Sequence, residues 1–279
     1  MGKRSFTGWW LCSFLLMGMP SLCAQQRPLL TEEVDLVQPG HARLEVGFAF
    51  LQNQTLTLFG LPGQDFMRAR GDVVRVGEIG VYIGLTDYAE FQIRGPVRSF
   101  FTDNRNLISR NDTGDFQFAT KFKLLSESRR WPALGFRVGA QLPNEKKLGT
   151  STLATFGQLL FGKHIGRAIG FLNLGVIITD RPTQLRRQSD KLLFGLGAIL
   201  PIHRRWDIFG EVNGRSGNSS IATEDSAQAH LGARIHAAGL RWDLAGVAGL
   251  AKNDPKSGVV FSVTFDAPVF KAPARETRP

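Results

Sequence analysis

Cysteine is nearly absent. The 279 residues hold two, Cys12 and Cys23, and both precede position 25. Once those first residues leave, no disulfide, thiolate metal site or cysteine nucleophile can form. Beyond residue 24 the chain also lacks an apolar run of about 20 residues, the length a spanning helix needs. In a hydrocarbon core only helices and closed barrels satisfy their own backbone, so a membrane form of this chain must be a barrel. A helix with a basic stripe is missing too. The net charge is +10, but Lys and Arg are scattered over turns, loops and one strand face, and nucleic acid is not an expected partner.

The N-terminus reads as an export signal. Lys3 and Arg4 precede an apolar core over residues 9–17, and residues 19–24 end on the small Ala24. This pattern predicts a signal peptide over 1–24, cleaved near Ala24. Lipidation at Cys23 is disfavoured because Leu22 is bulky. Loss of Lys3 and Arg4 leaves a charge of +8, since no acid precedes Thr31.

What remains is alternation. In Gly258, Val259, Val260, Phe261, Ser262, Val263, Thr264 and Phe265 the odd positions are Val, Phe, Val and Phe. The side-chain period of a strand is two, so those four share one face. Similar stretches fall at 42–52, 72–85, 88–99, 113–125, 131–142, 151–163, 167–179, 190–201, 205–215, 226–237 and 239–251. The stretch at 151–163 is the least clean. Connections after the even-numbered strands are short, as at Thr86-Asp87 and Ala238-Gly239. Those after the odd-numbered strands are mostly longer and polar: 53–71, 101–112, 143–150, 180–189, 216–225 and 252–257. Short periplasmic turns and longer outer loops are the mark of an outer-membrane barrel.

The expected fold is therefore all-β: an antiparallel transmembrane β-barrel of about 12 strands, within a range of about 10–14. A soluble sandwich would also alternate. Strand lengths near or above the roughly 9–11 residues that cross a bilayer at a tilt favour the barrel. So do aromatics near strand ends, namely Tyr88, Phe100, Phe101, Trp131, Phe161, Trp206, Phe261 and Phe265, which suit an interfacial girdle. The expected organisation is a periplasmic N-terminal lead (25–40), a barrel (41–266) and a periplasmic C-terminal tail (267–279). The location is the outer membrane of a Gram-negative cell. The expected partners are outer-membrane lipid, the barrel-assembly machinery and small-molecule solutes.

Enzyme chemistry finds little footing. His230 and His236 share a strand face but stand about 20 Å apart along it, too far for one metal. No Ser sits two residues from either. Asp207 and Glu211 are about 13 Å apart by strand rise, too far for a glycosidase pair. Gly195 and Gly197 fall mid-strand rather than at a strand–helix turn, which argues against a dinucleotide site. They are read as relieving crowding in a small barrel. Catalytic residues, metal ligands and cofactors are therefore expected to be none.

The inferred inner face carries the more informative residues. The pore-lining candidates are Glu78, Glu90, Arg94, Lys121, Lys123, Arg137, Asp207, Glu211, Arg215, His230, Arg234, Arg241 and Asp243. Charges of both signs in a confined space usually pair. Such a lumen is either salt-bridged and rigid or a narrow pore with a mild preference for anions.

One family resemblance adds to this. The stretch Leu30, Thr31, Glu32, Glu33, Val34, Asp35, Leu36, Val37, Gln38, Pro39, Gly40, leading into Arg43 to Phe48, resembles the mature N-terminus of the meta-pathway phenol-degradation barrels. Gly114-Asp115-Phe116 with Lys121, then Pro132-Ala133-Leu134 and Leu142-Pro143, is similar to that family's central hairpin. The resemblance spans residues 30 to 265 and implies an outer-membrane barrel that admits small, partly hydrophobic compounds. Two functions stay open: passive passage of small solutes through a charged lumen, or a closed barrel with a structural, adhesive or receptor role through loops 53–71 and 101–112.

Overall fold

The computed structural model describes residues 29–61, 64–103, 105–143, 148, 153–180, 188–217 and 225–271. The expected signal peptide, residues 25–28 and the last eight residues lie outside them. Thirteen strands form: β1 (His41–Leu61), β2 (Gln64–Gly84), β3 (Ala89–Asp103), β4 (Ile108–Asp112), β5 (Phe116–Leu125), β6 (Ala133–Leu142), β7 (Ala154–Ile165), β8 (Ala168–Asp180), β9 (Gln188–His203), β10 (Trp206–Ser216), β11 (Ser226–Ala237), β12 (Leu240–Gly249) and β13 (Ser257–Pro268). Strands β4 and β5 pair successive stretches of β3 and so make one stave. The result is a closed antiparallel barrel of twelve staves, with β13 returning to pair with β1. Closure removes the sheet edges that would otherwise be left unpaired in lipid.

Alternation sets the two faces as expected. Leu44, Val46, Leu172, Leu174, Leu192, Leu196, Leu231 and Phe261 are exposed on the outside, while Arg43, Glu45, Asn173 and Ser262 are buried within. Tyr88, Phe100, Trp131, Trp206, Phe261 and Phe265 are exposed, as a girdle requires. Phe101 departs from the expectation and is fully buried. Even positions Glu90 and Gln92 face inward, but from Ser99 onward the odd positions do. That change of parity, level with the Gly77 irregularity of β2, turns Phe101 into the barrel. Gly77 sits at φ +64, a backbone shape that favours glycine at a bulge.

The faces make a direct test. Leu196→Arg should block assembly, costing about 2–4 kcal/mol at the membrane midplane. Gln141→Arg, on the inner face, keeps a donor for Asp115, which Gln141 now reaches at 3.0 Å, and should fold. Heat-modifiable gel migration reads both; equal loss would show that the faces are wrongly assigned.

The connections differ from expectation at one rim. Residues 53–71 are not a loop: β1 and β2 continue as a hairpin to the Leu61–Gln64 pair. The segment Gln54 to Leu58 itself alternates, so it carries on the ladder. Its Leu58 is fully buried and bridges Leu148 of the β6–β7 connection. The hairpin thus leans across the mouth, onto a cluster with Leu51, Val73 and Phe101. Residues 101–112 likewise fold back as β3 and β4. At the opposite rim the turns are tight, with Ala238 and Gly239 both at positive φ, the twist a two-residue hairpin needs. There the His164 ring, hydrogen-bonded to Glu127 in the β5–β6 turn, holds that carboxyl down to about 2, helped by the His164 main-chain N–H and Lys163.

The N-terminal lead is also corrected. Residues 29–40 do not hang below the barrel; Leu29, Thr31, Glu32, Glu33, Val34 and Val37 are buried inside it. The barrel ends slightly later than expected, since β13 runs to Pro268 and Val269 still bonds Gly40.

Candidate functional site

The barrel interior is the candidate site. Each stave contributes its polar face, and the charged residues named from the sequence all point there. They fall into groups. On β11 and β12, Asp243 is fully buried between two guanidinium groups, Arg234 at 2.7 Å and Arg241 at 2.9 Å. On β10 and β11, Glu211 lies 3.1 Å from His230, and Asp207 lies 3.0 Å from His236. Glu78 is near the mouth, 3.8 Å from Arg75. Among the described residues no cluster of three metal-ligating side chains forms.

The largest group spans β3, β5 and β6. Glu90 and Lys121 are both fully buried and 3.4 Å apart. Gln92 links the wall, donating to Glu90 at 2.8 Å and accepting from Arg137 at 2.8 Å. Arg137 also donates to Gln117 at 2.6 Å and Gln158 at 3.1 Å. Its guanidinium lies over the Phe156 ring at 4.7 Å.

The centre of this group does not belong to a stave. It is Glu32, in the N-terminal segment, 2.6 Å from Arg94, 3.7 Å from Lys121 and 3.9 Å from Arg137. Isolated buried charges are costly, and the three cations repel one another, so Glu32 offsets a repulsion that Glu90 shares only in part. The segment is tied elsewhere as well. Glu211 accepts from the main-chain N–H of Leu30 and Thr31, both at 2.7 Å. Lys121 donates to the Asp35 carbonyl at 2.8 Å, Lys123 pairs with the Asp35 carboxylate at 2.8 Å, and the Val37 N–H donates to Glu90. Val34 packs against Ala133 and Leu160, and Leu29 against Phe171, Ile199 and Phe209.

Two glycines make room for it. A Cβ at Gly84 would stand 2.1 Å from the Gln38 carbonyl oxygen, and one at Gly195 would stand 2.6 Å from Thr31 Oγ1. Gly195 therefore leaves space for the N-terminal segment in particular; a Cβ at Gly197 would instead meet the Phe171 ring at 2.3 Å. Sequence reasoning missed residues 29–40 and Gln158 as parts of the interior. The weak alternation of β7 was a signal: its inner face carries Phe156 and Leu160, and Leu160 packs against the segment.

Space remains above the segment. One cavity of about 300 Å³ opens toward the long-connection rim, between the β1–β2 hairpin and Asp115, Arg215 and Asp254. A second, of about 260 Å³, lies deeper and ends on Leu30 and Thr31. Both are bordered by Gln141, Arg215 and Ser226. The interior is thus accessible from one rim and filled by residues 29–38 toward the other.

No protein-family model and no curated protein sequence matches this chain. Among solved structures it is similar to an outer membrane channel from Pseudomonas putida F1, with 13% identity over 84% of this chain and 98% of that one, and a TM-score of 0.62. It is also similar to the porin NanC, with 8% identity over 82% of this chain and 99% of that one, and a TM-score of 0.51. At such identities the likeness is one of fold. The fold is that of an outer-membrane barrel, and with its apolar outer belt it belongs in an outer membrane.

Proposed function

We propose that this barrel gives small solutes passive passage across the outer membrane, and that residues 29–38 are a plug that must yield for a solute to pass. One observation carries this reading: a polar interior that is open from the long-connection rim and stops at Leu30 and Thr31. A purely structural barrel has no need of polar-lined cavities that open from one rim and end on a segment held by hydrogen bonds and ion pairs. The N-terminal resemblance to the phenol-degradation barrels favours solutes that are partly hydrophobic. Most inner charges are paired within the wall or with the plug.

The second reading is a closed barrel acting through its outer hairpins. It is favoured by the filled lumen and by the β1–β2 hairpin leaning over the mouth. Planar-bilayer recording separates the two. The mature chain should carry small, intermittent currents, and a variant lacking residues 25–38 should carry larger and steadier ones. A deletion variant that folds, as read by heat-modifiability, and still carries no current would leave the closed barrel as the better account.

A further inference from the structure

Three neighbouring turns at the short-turn rim are strongly basic. The turn between β5 and β6 holds Arg129 and Arg130, that between β7 and β8 holds Arg167, and that between β9 and β10 holds Arg204 and Arg205. Strands β5 to β10 are consecutive staves, so the three turns lie side by side on one arc of the rim. All five arginines are exposed, and none forms an ion pair among the described residues. The nearby acids are engaged elsewhere. Glu127 is shared by Lys163 at 3.3 Å and the His164 ring, and Asp207 lies 3.0 Å from His236. Lys163 also ties β7 to the first of these turns, donating to the main-chain carbonyls of Ser128 and Arg129. The other two turns of this rim are different. Residues 85–88 and 238–239 carry Asp87 and no cation. The free positive charge of these turns is therefore one-sided.

The arginines adjoin side chains that belong in a membrane interface. Trp131 follows Arg130, Ile165 stands two residues before Arg167, and Ile202 and Trp206 bracket Arg204 and Arg205; all four are exposed. An exposed Trp at a strand end marks the headgroup level of a bilayer. The next residue of an extended chain is only about 3.3 Å away, and the headgroup layer is about 5–7 Å thick on each side. The guanidinium groups thus stand among headgroups, where each can meet a phosphate with two donors at once.

We infer that this arc is a docking surface for anionic phospholipid in the leaflet around the short-turn rim. Charge complementarity selects the occupant, since a cluster of about 4–8 basic residues beside a membrane segment attracts anionic headgroups. A zwitterionic headgroup carries a cation of its own and gains less. An acidic soluble partner would have no use for Trp and Ile set beside the arginines. The inference needs only the barrel in its membrane and does not rest on solute passage.

Spin-labelled lipids test it. The purified mature barrel is reconstituted in phosphatidylcholine bilayers with a trace of labelled phosphatidylglycerol or labelled phosphatidylcholine. Electron paramagnetic resonance then reads how much of each is immobilised at the protein. One arginine per headgroup favours the anionic lipid about fivefold. The arc covers six of the twelve staves on one of two rims, so the average over the whole lipid ring should be about twofold. The preference should fall toward unity at 1 M salt, where the screening length is about 3 Å; this reading needs no variant. Arg130→Gln/Arg167→Gln/Arg205→Gln, one change in each turn, should remove most of it. Arg105→Gln/Lys252→Gln/Lys256→Gln takes the same charge from exposed positions on the opposite rim and should keep it. Heat-modifiable migration confirms that each variant folds. No preference in the parent, equal loss in both variants, or a preference that survives in the first variant overturns the inference. So does binding to isolated peptidoglycan through the same arginines without any lipid preference, which would give the surface to the cell wall.

Discussion

Glu32→Ala should cost the barrel about 3–5 kcal/mol, the range for removing one partner of a buried ion pair. The effect is large because Glu32 is shared. Arg94, Lys121 and Arg137 all lie within 3.9 Å of it, and Lys121 is fully buried. Alanine leaves Lys121 paired with Glu90 at 3.4 Å and takes from Arg94 and Arg137 the carboxylate with which each is paired. Glu32→Gln should recover part of the loss, because its amide oxygen still accepts from Arg94. The readout is the temperature at which the protein loses its compact gel migration. The deficit should persist at 1 M salt, where exposed charges are screened within about 3 Å but buried ones are not. A loss below about 1 kcal/mol, the value of a surface pair, would show that water fills the space and that the plug is not held by this network.

Tethering the plug should abolish current. A Cβ built at Gly195 lies 3.1 Å from Thr31 Cβ, a little inside the usual disulfide separation of about 3.5–4.5 Å. A small adjustment of the segment would therefore allow a bond in Thr31→Cys/Gly195→Cys. With the signal removed the chain has no other cysteine, so pairing is unambiguous. The oxidised form should fall to baseline conductance, and reduction should restore it. Current that persists after mass spectrometry has verified the cross-link would mean that solutes pass beside the plug rather than by its yielding.

How much of this was legible before the structure follows from the range over which each signal acts. A period of two is a local property, so the residues of β13, β8 and β10 assign their own faces. Alternating short and long connections order the staves and place the rims in the same way. Local reading failed where the pattern shifts or continues unannounced. The parity change between Arg94 and Ser99 turned Phe101 inward, and the alternation of Gln54 to Leu58 was hidden in a stretch long enough to read as a loop.

What the sequence determines by itself, through alternation together with strand length and the order of short and long connections, is the barrel, its two faces and the charges on the inner one, because each is a consequence of strand geometry and of the need to satisfy backbone in lipid. What only the tertiary structure decides is what fills the interior. The partners of residues 29–38 stand far away in sequence: Glu90 is 53 residues from Val37, and Glu211 is 180 from Thr31. A short extended segment without a periodic pattern carries no local mark of being buried. It becomes a plug only because closing twelve staves into a ring brings Arg94, Lys121, Arg137 and Glu211 around one narrow space, where unpaired charges and apolar side chains such as Val34 and Leu29 find their counterparts.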